Sequence, residues 1–534
     1  MEKEQTNDKG VTMRKKQFFG IITLIVILSL FFGGIVGTYL GAQSRNDTGI
    51  TYKIRTFMKI IKTVQDNYVR DVQFEDLIDY AIRGMLSYLD PHTIYLGPDE
   101  YKELLVGTKG SFGGLGIQIA VRDGVLTIIT PIEGTPAYNA GLLAGDKIAE
   151  IEGNSTLGIT SHEAVKKLRG KPGTDVTIGI KREGIKEIIH FTITRDIITL
   201  KAVPYSGMVD KNIGYIRLST FSETCSKEFG NAIDSLENIG AKKFIVDLRN
   251  NSGGLLKEAI NVSDNFIEKG EIVVSTKGRK IGTSREYYAK IPPKYGEFPL
   301  IVLVNGGSAS ASEIVSGAVQ DWDRGLILGT KTFGKGSVQQ VIPIDYETAL
   351  KITTAKYYTP SGRCIDNEDN KNLLLTLSLG TTDKGEKKDT TTYYTLRLKR
   401  KVYGGGAITP DVVCKLPNIS ELETKLYQKG IFFNFAVDYT TNHTVKKGFK
   451  VNNTMLNTFK NYIREKDMEF TDEEFEQSLD GIMYGLKRNI AMKIGGLKSS
   501  YESVLLEDKQ VTEALTLLKK SKNREQLFSL IEEK

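Results

Sequence analysis

Two short apolar runs, Phe244 to Leu248 and Leu300 to Val304, each break into a glycine-bearing turn and then into residues at helical spacing. Unbroken apolar runs bounded by turn residues are the pattern of strands buried on both faces. The first turn is Arg249-Asn-Asn-Ser-Gly-Gly254, with a helix expected from Leu255 to about Phe266. The second is Asn305-Gly-Gly-Ser-Ala-Ser-Ala-Ser-Glu313, with a helix expected through Val319. Strand–turn–helix alternation from Ile213 to Lys415 predicts an α/β unit, a mixed or parallel sheet covered by helices. Ile352 to Tyr358 reads as a further strand, Asn367 to Tyr403 as a polar surface excursion, and Gly404 to Asp411 as the return.

At 534 residues the chain exceeds one core, so three or four domains are expected. The expected boundaries are 1–17 for a cytoplasmic tail, 18–40 for a transmembrane anchor and 41–106 for a helical segment. A β-rich inserted domain follows over 107–197, then the α/β unit over 198–415 and a helical carboxy-terminal domain over 416–534. The anchor rests on the uncharged run Phe18 to Leu40, long enough to span a bilayer as a helix. Arg14, Lys15 and Lys16 precede it, which keeps the amino terminus cytoplasmic and the rest extracytoplasmic. A cleaved signal peptide is the competing reading, but Leu40-Gly41-Ala42 is a poor cleavage site. Ile50 to Leu89 carries apolar residues at helical spacing and reads as a packing collar. For the tail after Leu416, packing support of the core comes first, with partner binding and dimer contact open, so a homo-oligomer is possible.

Net charge is +7, from 72 basic and 65 acidic residues, without a long basic block, so nucleic-acid binding finds no support. Cys225, Cys364 and Cys414 lie far apart without metal-ligand spacing. No cofactor and no metal are expected.

Residues Gly107 to Thr194 hold short alternating strands around a glycine turn and one helix, Thr160 to Leu168. The loop Gly114-Leu115-Gly116-Ile117, the run Pro136-Ala137…Ala140-Gly141-Leu142…Gly145-Asp146 and the later helix together resemble a PDZ domain. The resemblance implies that a peptide tail adds as a strand between the Ile117 strand and the Thr160–Leu168 helix. Its carboxylate would meet free N–H groups at Gly114, Leu115, Gly116 and Ile117.

The chemistry centres on two segments. Ser308, Ser310 and Ser312 sit where a strand turns into a helix, whose N-terminus offers free N–H groups to a developing oxyanion. Each serine could equally be a helix cap. For attack by Ser310 the natural donor is Ala311 N–H, with a second from the Ser252-Gly253-Gly254 turn. Lys335, between Gly334 and Gly336, is poorly placed for a solvated surface lysine, and burial would let it act as a neutral base. If a strand begins there, Lys335, Ser337 and Gln339 share a face, and Gln339 can orient the amine. Gly329-x-x-x-x-Gly334-Lys335 nearly matches a phosphate loop, but Gly336 replaces the Ser or Thr that holds Mg²⁺. His92, His162, His190 and His443 form no zinc helix or nucleophile elbow; His162 lies on the groove helix.

Together, Asp247-Leu-Arg-Asn-Asn-Ser-Gly-Gly-Leu-Leu256, Ser308-Ala-Ser-Ala-Ser-Glu-Ile314, Gly334-Lys-Gly-Ser-Val-Gln339, Leu350 to Arg363 and Ile408-Thr-Pro-Asp411 resemble the carboxy-terminal processing peptidases. The resemblance implies a crotonase-like serine protease core joined to a PDZ domain. It implies Ser310 as nucleophile, Lys335 as base, Gln339 as third member and Glu313 as a nearby carboxylate. It also implies cleavage near the carboxyl termini of protein substrates, usually apolar ones. Ser252 departs from the family, which commonly has proline before Gly-Gly. The alternative expectation is a non-catalytic scaffold that holds protein tails through the PDZ module.

Overall fold

The computed structural model describes residues 49–366 and 391–532. The expected anchor, residues 18–40, and most of the 367–403 excursion lie outside them. Among the described residues, no helix is long and apolar enough to cross a membrane.

The chain divides after Tyr88. The first unit holds a helix over 49–67 and a helix over Phe74–Ser87. The expected helical spacing is present; Ile54, Phe57, Met58 and Met85 are exposed, and Ile61 and Leu86 are buried. An amphipathic stripe reports the helix and not what covers it.

The second unit contains everything from Leu89 onward. Its centre is a six-stranded sheet in the order Tyr205–Asp210, Ile213–Arg217, Lys243–Asp247, Leu300–Val304, Leu326–Gly329, Val412–Val413. The first pair is antiparallel and the remaining pairings are parallel, giving the expected mixed sheet. Lys243–Asp247 and Leu300–Val304 are buried throughout, as unbroken apolar runs require. One face is covered by helices Cys225–Asn238, Leu256–Ser263 and Ala311–Asp321. The other is covered by the end of the chain: Leu505, Val511, Leu515, Leu518, Leu527 and Phe528 pack on Ile213, Ile245, Ile301 and Leu328. The carboxy-terminal helices Lys509–Lys520 and Arg524–Glu532 therefore complete the core of the α/β unit.

A second sheet joins Ser337–Pro343, Ala349–Tyr358, Ile272–Lys277 and Arg285–Tyr288. Its remaining strand, Ile94–Leu96, pairs antiparallel with Ala349–Tyr358, so the chain just before the β-rich inserted domain is stitched into the core.

The β-rich inserted domain has the strand order Ile117–Arg122, Val125–Pro131, Lys147–Ile151, Asp175–Lys181, Ile189–Thr194 around its own core of Leu115, Ile128, Ile148, Ile178 and Leu168. Ile117–Arg122 is an edge strand. The groove helix Ser161–Leu168 starts at a capping box, with Glu163 N–H on Thr160 Oγ1 and Thr160 N–H on Glu163 Oε2. The domain is held from behind: Ile129 and Ala144 pack on Phe433 and Val437 of helix Ile431–Asn442. Helices Glu421–Gln428 through the start of Leu479–Val504 share a separate core around Phe432, Phe435, Phe459 and Leu486.

Candidate active site

The two turns that follow the central strands lie side by side, and serine and asparagine side chains clasp them together. Ser308 Oγ donates to Leu248 O at 2.8 Å and Ser312 Oγ to Asn251 O at 2.8 Å. Asn251 O also accepts Ala309 N–H, and Asn305 and Asn250 exchange amide contacts across the gap. Two of the three candidate serines are thus consumed in holding the turns. Ser310 is the exception: it stands at the N-cap, but its hydroxyl makes no hydrogen bond among the described residues. It precedes helix Ala311–Asp321 with φ 54° and ψ −112°, a strained conformation for a residue with a side chain. Such backbone costs roughly 1–3 kcal/mol and persists where surrounding structure enforces it.

Glu313 joins the serine turn to the lysine loop. Its side chain is wholly buried one turn into the helix. One oxygen, Oε2, accepts Ser310 N–H at 2.9 Å and Lys335 N–H at 2.9 Å. The other, Oε1, accepts the Thr332 hydroxyl at 2.6 Å and Gly334 N–H at 2.7 Å. The two segments singled out in the sequence therefore hang on one carboxylate. Burial pushes Glu313 up to about 7, against the pull of these four donors.

Lys335 lies in the loop just before strand Ser337–Pro343, half-buried, and its amine makes no hydrogen bond or ion pair among the described residues. Burial holds it below the usual lysine value; the Lys351 charge adds to this, while Glu313 and Asp90 oppose it. Gln339 does share a strand face with Ser337, but its amide nitrogen donates to Ser337 Oγ at 2.6 Å and approaches Thr353 Oγ1 at 3.5 Å. No hydrogen bond joins it to Lys335. A bulge between Val338 and Gln339 re-aims the strand at this point.

The oxyanion expectation needs one correction. Gly253 N–H donates to Asn251 Oδ1 at 2.9 Å, so it is not a free donor. Ala311 N–H and Gly254 N–H have no acceptor among the described residues. Gly253 instead allows close approach: a Cβ there would stand 2.9 Å from Ser310 Cβ and 3.0 Å from Ala311 N.

The sequence reading missed the turn Asp90-Pro91-His92-Thr93. Asp90 is buried and accepts His92 N–H at 2.8 Å, Thr93 N–H at 2.9 Å and the Thr93 hydroxyl at 2.7 Å. It also accepts the Thr353 hydroxyl at 3.2 Å, which links it toward Gln339. Burial, then the nearby Lys335 charge, hold His92 below its usual value. The partner of Asp90, Thr353, lies 263 positions away, beyond the reach of local spacing.

In the β-rich inserted domain, the N–H groups of Leu115 and Gly116 have no acceptor among the described residues, while Leu115 O accepts Ala137 N–H. Gly114 ends strand Ser111–Gly114 and Ile117 begins the open edge strand. Arg169, at the end of the groove helix, pairs with Glu103 of helix Pro98–Lys109 and lies over the Phe112 ring at 4.4 Å. His162 is exposed beside Asp99. Among the described residues, no cluster of His, Cys, Asp or Glu has the arrangement of a metal site.

A helix-covered sheet that presents a strained serine at a helix N-terminus, its hydroxyl free among the described residues, is the framework of a serine-type peptidase. Comparison with known proteins agrees. Residues 212–371 match peptidase family S41, 113–192 match a PDZ domain, and 422–480 match the C-terminal helical domain described for probable PDZ-proteases. The carboxy-terminal-processing protease of Bartonella bacilliformis is 44% identical over 349 residues, 63% of this chain and 79% of that protein. The carboxy-terminal processing protease CtpA of Bacillus subtilis is 37% identical over 359 residues, 67% of this chain and 76% of that one. A solved photosystem II D1 C-terminal processing protease is 26% identical, with a TM-score of 0.36 over 69% of this chain and 94% of the other. The chain belongs to the carboxy-terminal processing proteases of peptidase family S41. That membership sets aside the non-catalytic scaffold.

Proposed function

We propose that this protein is a membrane-anchored, extracytoplasmic endopeptidase that cleaves proteins near their carboxyl termini through a Ser310–Lys335 pair. The observation that carries the reading is the Glu313 carboxylate, which accepts backbone N–H groups from both residues at 2.9 Å. In this mechanism neutral Lys335 takes the Ser310 proton as Oγ attacks the scissile carbonyl. Ala311 N–H and Gly254 N–H stabilise the oxyanion at the helix N-terminus. Lys335 returns the proton to the leaving amine, and water then hydrolyses the acyl-enzyme. Gln339, held by Ser337 and Thr353, lines the lysine loop and positions the strand beneath it.

The substrate tail pairs with the open edge of Ile117–Arg122, its carboxylate on the Leu115 and Gly116 N–H groups. Arg169, tied to the helix that leads into the core, carries tail occupancy toward the site. Residues 18–40 supply the anchor, with the basic flank on the cytoplasmic side.

The test is cleavage of an unfolded protein with an apolar carboxy terminus by the full chain purified in detergent. Ser310→Ala and Lys335→Ala are expected to abolish turnover while binding of the tail persists. Unchanged cleavage by either variant refutes the dyad. Extraction of the protein from membranes by carbonate alone refutes the anchor.

A further inference from the structure

The end of the chain reaches the catalytic turn through one buried arginine. Arg249 opens the Arg249-Asn-Asn-Ser-Gly-Gly254 turn, and its side chain is 10% exposed. Its own N–H donates to Asp247 Oδ1 at 2.9 Å, and Nη2 pairs with Asp247 Oδ2 at 2.7 Å. Asp247 in turn accepts the Tyr215 hydroxyl at 2.6 Å and Arg217 Nη1 at 2.9 Å. These contacts come from inside the sheet. The remaining arm, Nη1, points at the carboxy-terminal helix: 3.0 Å to Asp508 Oδ1, 2.8 Å to Asp508 Oδ2 and 2.9 Å to Gln510 Oε1. Asp508 also caps that helix, accepting Gln510 N–H at 2.9 Å and Val511 N–H at 3.2 Å. Gln510, wholly buried, spends its amide nitrogen on Cys414 O at 2.6 Å.

Such a network is more than packing. The helix Lys509–Lys520 already covers the sheet with Val511, Leu515 and Leu518, which needs no charge. A buried ion pair contributes little net stability against an apolar replacement, but it fixes geometry, and breaking it strands a charge. Asp247 holds the start of the turn from one side, and Asp508 with Gln510 hold it from the other. A few residues on, the same turn presents Gly254 N–H, and Gly253 lies against Ser310 and Ala311.

We infer that Asp508 and Gln510 are positioning residues for the reaction: through Arg249 they hold the 249–254 turn at the spacing that places the Gly254 donor opposite Ala311 N–H. The carboxy-terminal segment then decides the rate of acylation as well as the stability of the core. This inference rests on the Ser310–Lys335 reading.

The experiment separates cap, charge and catalysis, in the detergent-purified full chain. Asp508→Asn keeps a side chain that caps a helix as well as aspartate does, but faces Arg249 with an amide. Misplacing a reacting geometry by an ångström costs up to about a hundredfold. The expected result is a kcat per titrated active site lowered roughly ten- to a hundredfold, with KM within about twofold and a thermal midpoint that falls with the broken ion pair but stays above the assay temperature. Val511→Ala removes only apolar packing of the same helix on the sheet, so it is expected to lower the thermal midpoint while kcat per site holds. If Asp508→Asn turns over at the wild-type rate while Ser310→Ala is dead, the positioning role is wrong and the dyad stands. If both variants lose kcat only in proportion to folded protein, the link is structural and the inference is overturned. If Ser310→Ala still cleaves, the dyad itself has failed.

Discussion

Replacing Glu313 by glutamine tests the carboxylate that joins the two halves of the site. In the native protein four donors converge on two oxygens: Ser310 N–H and Lys335 N–H on Oε2, the Thr332 hydroxyl and Gly334 N–H on Oε1. Glutamine keeps one oxygen and turns the other into a donor. The least costly orientation leaves the oxygen on Ser310 and Lys335, because the Thr332 hydroxyl can rotate to accept. Gly334 N–H is then stranded against an NH₂ group, a loss of roughly 1–3 kcal/mol. The pH dependence follows with a definite sign. Burial raises Glu313 from 4.5 to about 7, so between those values the unfolded chain is ionised while the fold still holds the proton. Stability therefore falls as pH rises through that window, by about 3 kcal/mol for a shift of this size, and the fall disappears in Glu313→Gln. The Glu313 charge also raises Lys335 against the lowering by burial. Without it the lysine is neutral at lower pH, so the acid limb of kcat/KM moves down. Urea midpoints from pH 4 to 8, with kcat/KM profiles over the same range and above, read both effects. An acid limb and a pH–stability slope identical to wild type would refute the assignment of Glu313 as the shared acceptor.

Three further substitutions probe the surroundings. Lys351 lowers Lys335 by like charge, so Lys351→Met is expected to raise the lysine and move the acid limb of kcat/KM to higher pH; a limb that stays or moves down contradicts it. Gly253→Ala forces a Cβ to 2.9 Å from Ala309 O and 3.0 Å from Ala311 N at φ 103°, so kcat should fall on the order of a hundredfold, as for loss of an oxyanion donor. Steady-state rates within threefold of wild type would show that the turn does not border the site. Burial opposes the ionisation of Asp90, but the Thr93 and Thr353 hydroxyls and His92 N–H hold it below the usual carboxylate value. Its stabilisation is present above the unfolded value of 3.8 and lost as pH falls through the folded one. Asp90→Asn should therefore be less stable at neutral pH, with a flatter decline in acid, in denaturant titrations.

Much of the site was legible because the signals are local. The two buried strands, their turns and the following helices were all readable, since apolar run length, glycine and capping chemistry act within a few residues. Ser310 and Glu313 lie inside those segments, and Lys335 stood out by the glycines on either side of it. Which serine is free was not readable from local chemistry. Ser308 and Ser312 look as able to react as Ser310, and only the neighbouring turn, with its Leu248 and Asn251 carbonyls, takes their hydroxyls out of play. The Gly253 donor failed for a similar reason: the Asn251 side chain two residues earlier occupies its N–H.

Sequence alone determined the class of elements, the order of modules and the residue types that carry the chemistry. These follow from periodicity and backbone sterics, which need no partner at a distance. Tertiary structure decided everything that depends on meeting. It brought Ser310 and Lys335 onto one carboxylate and put Asp90 beneath Thr353. It also made the last helices of the chain a layer of the catalytic core, with Asp508 against Arg249. Burial and hydrogen-bond partnership are properties of neighbours, and neighbours separated by hundreds of residues leave no trace in local spacing.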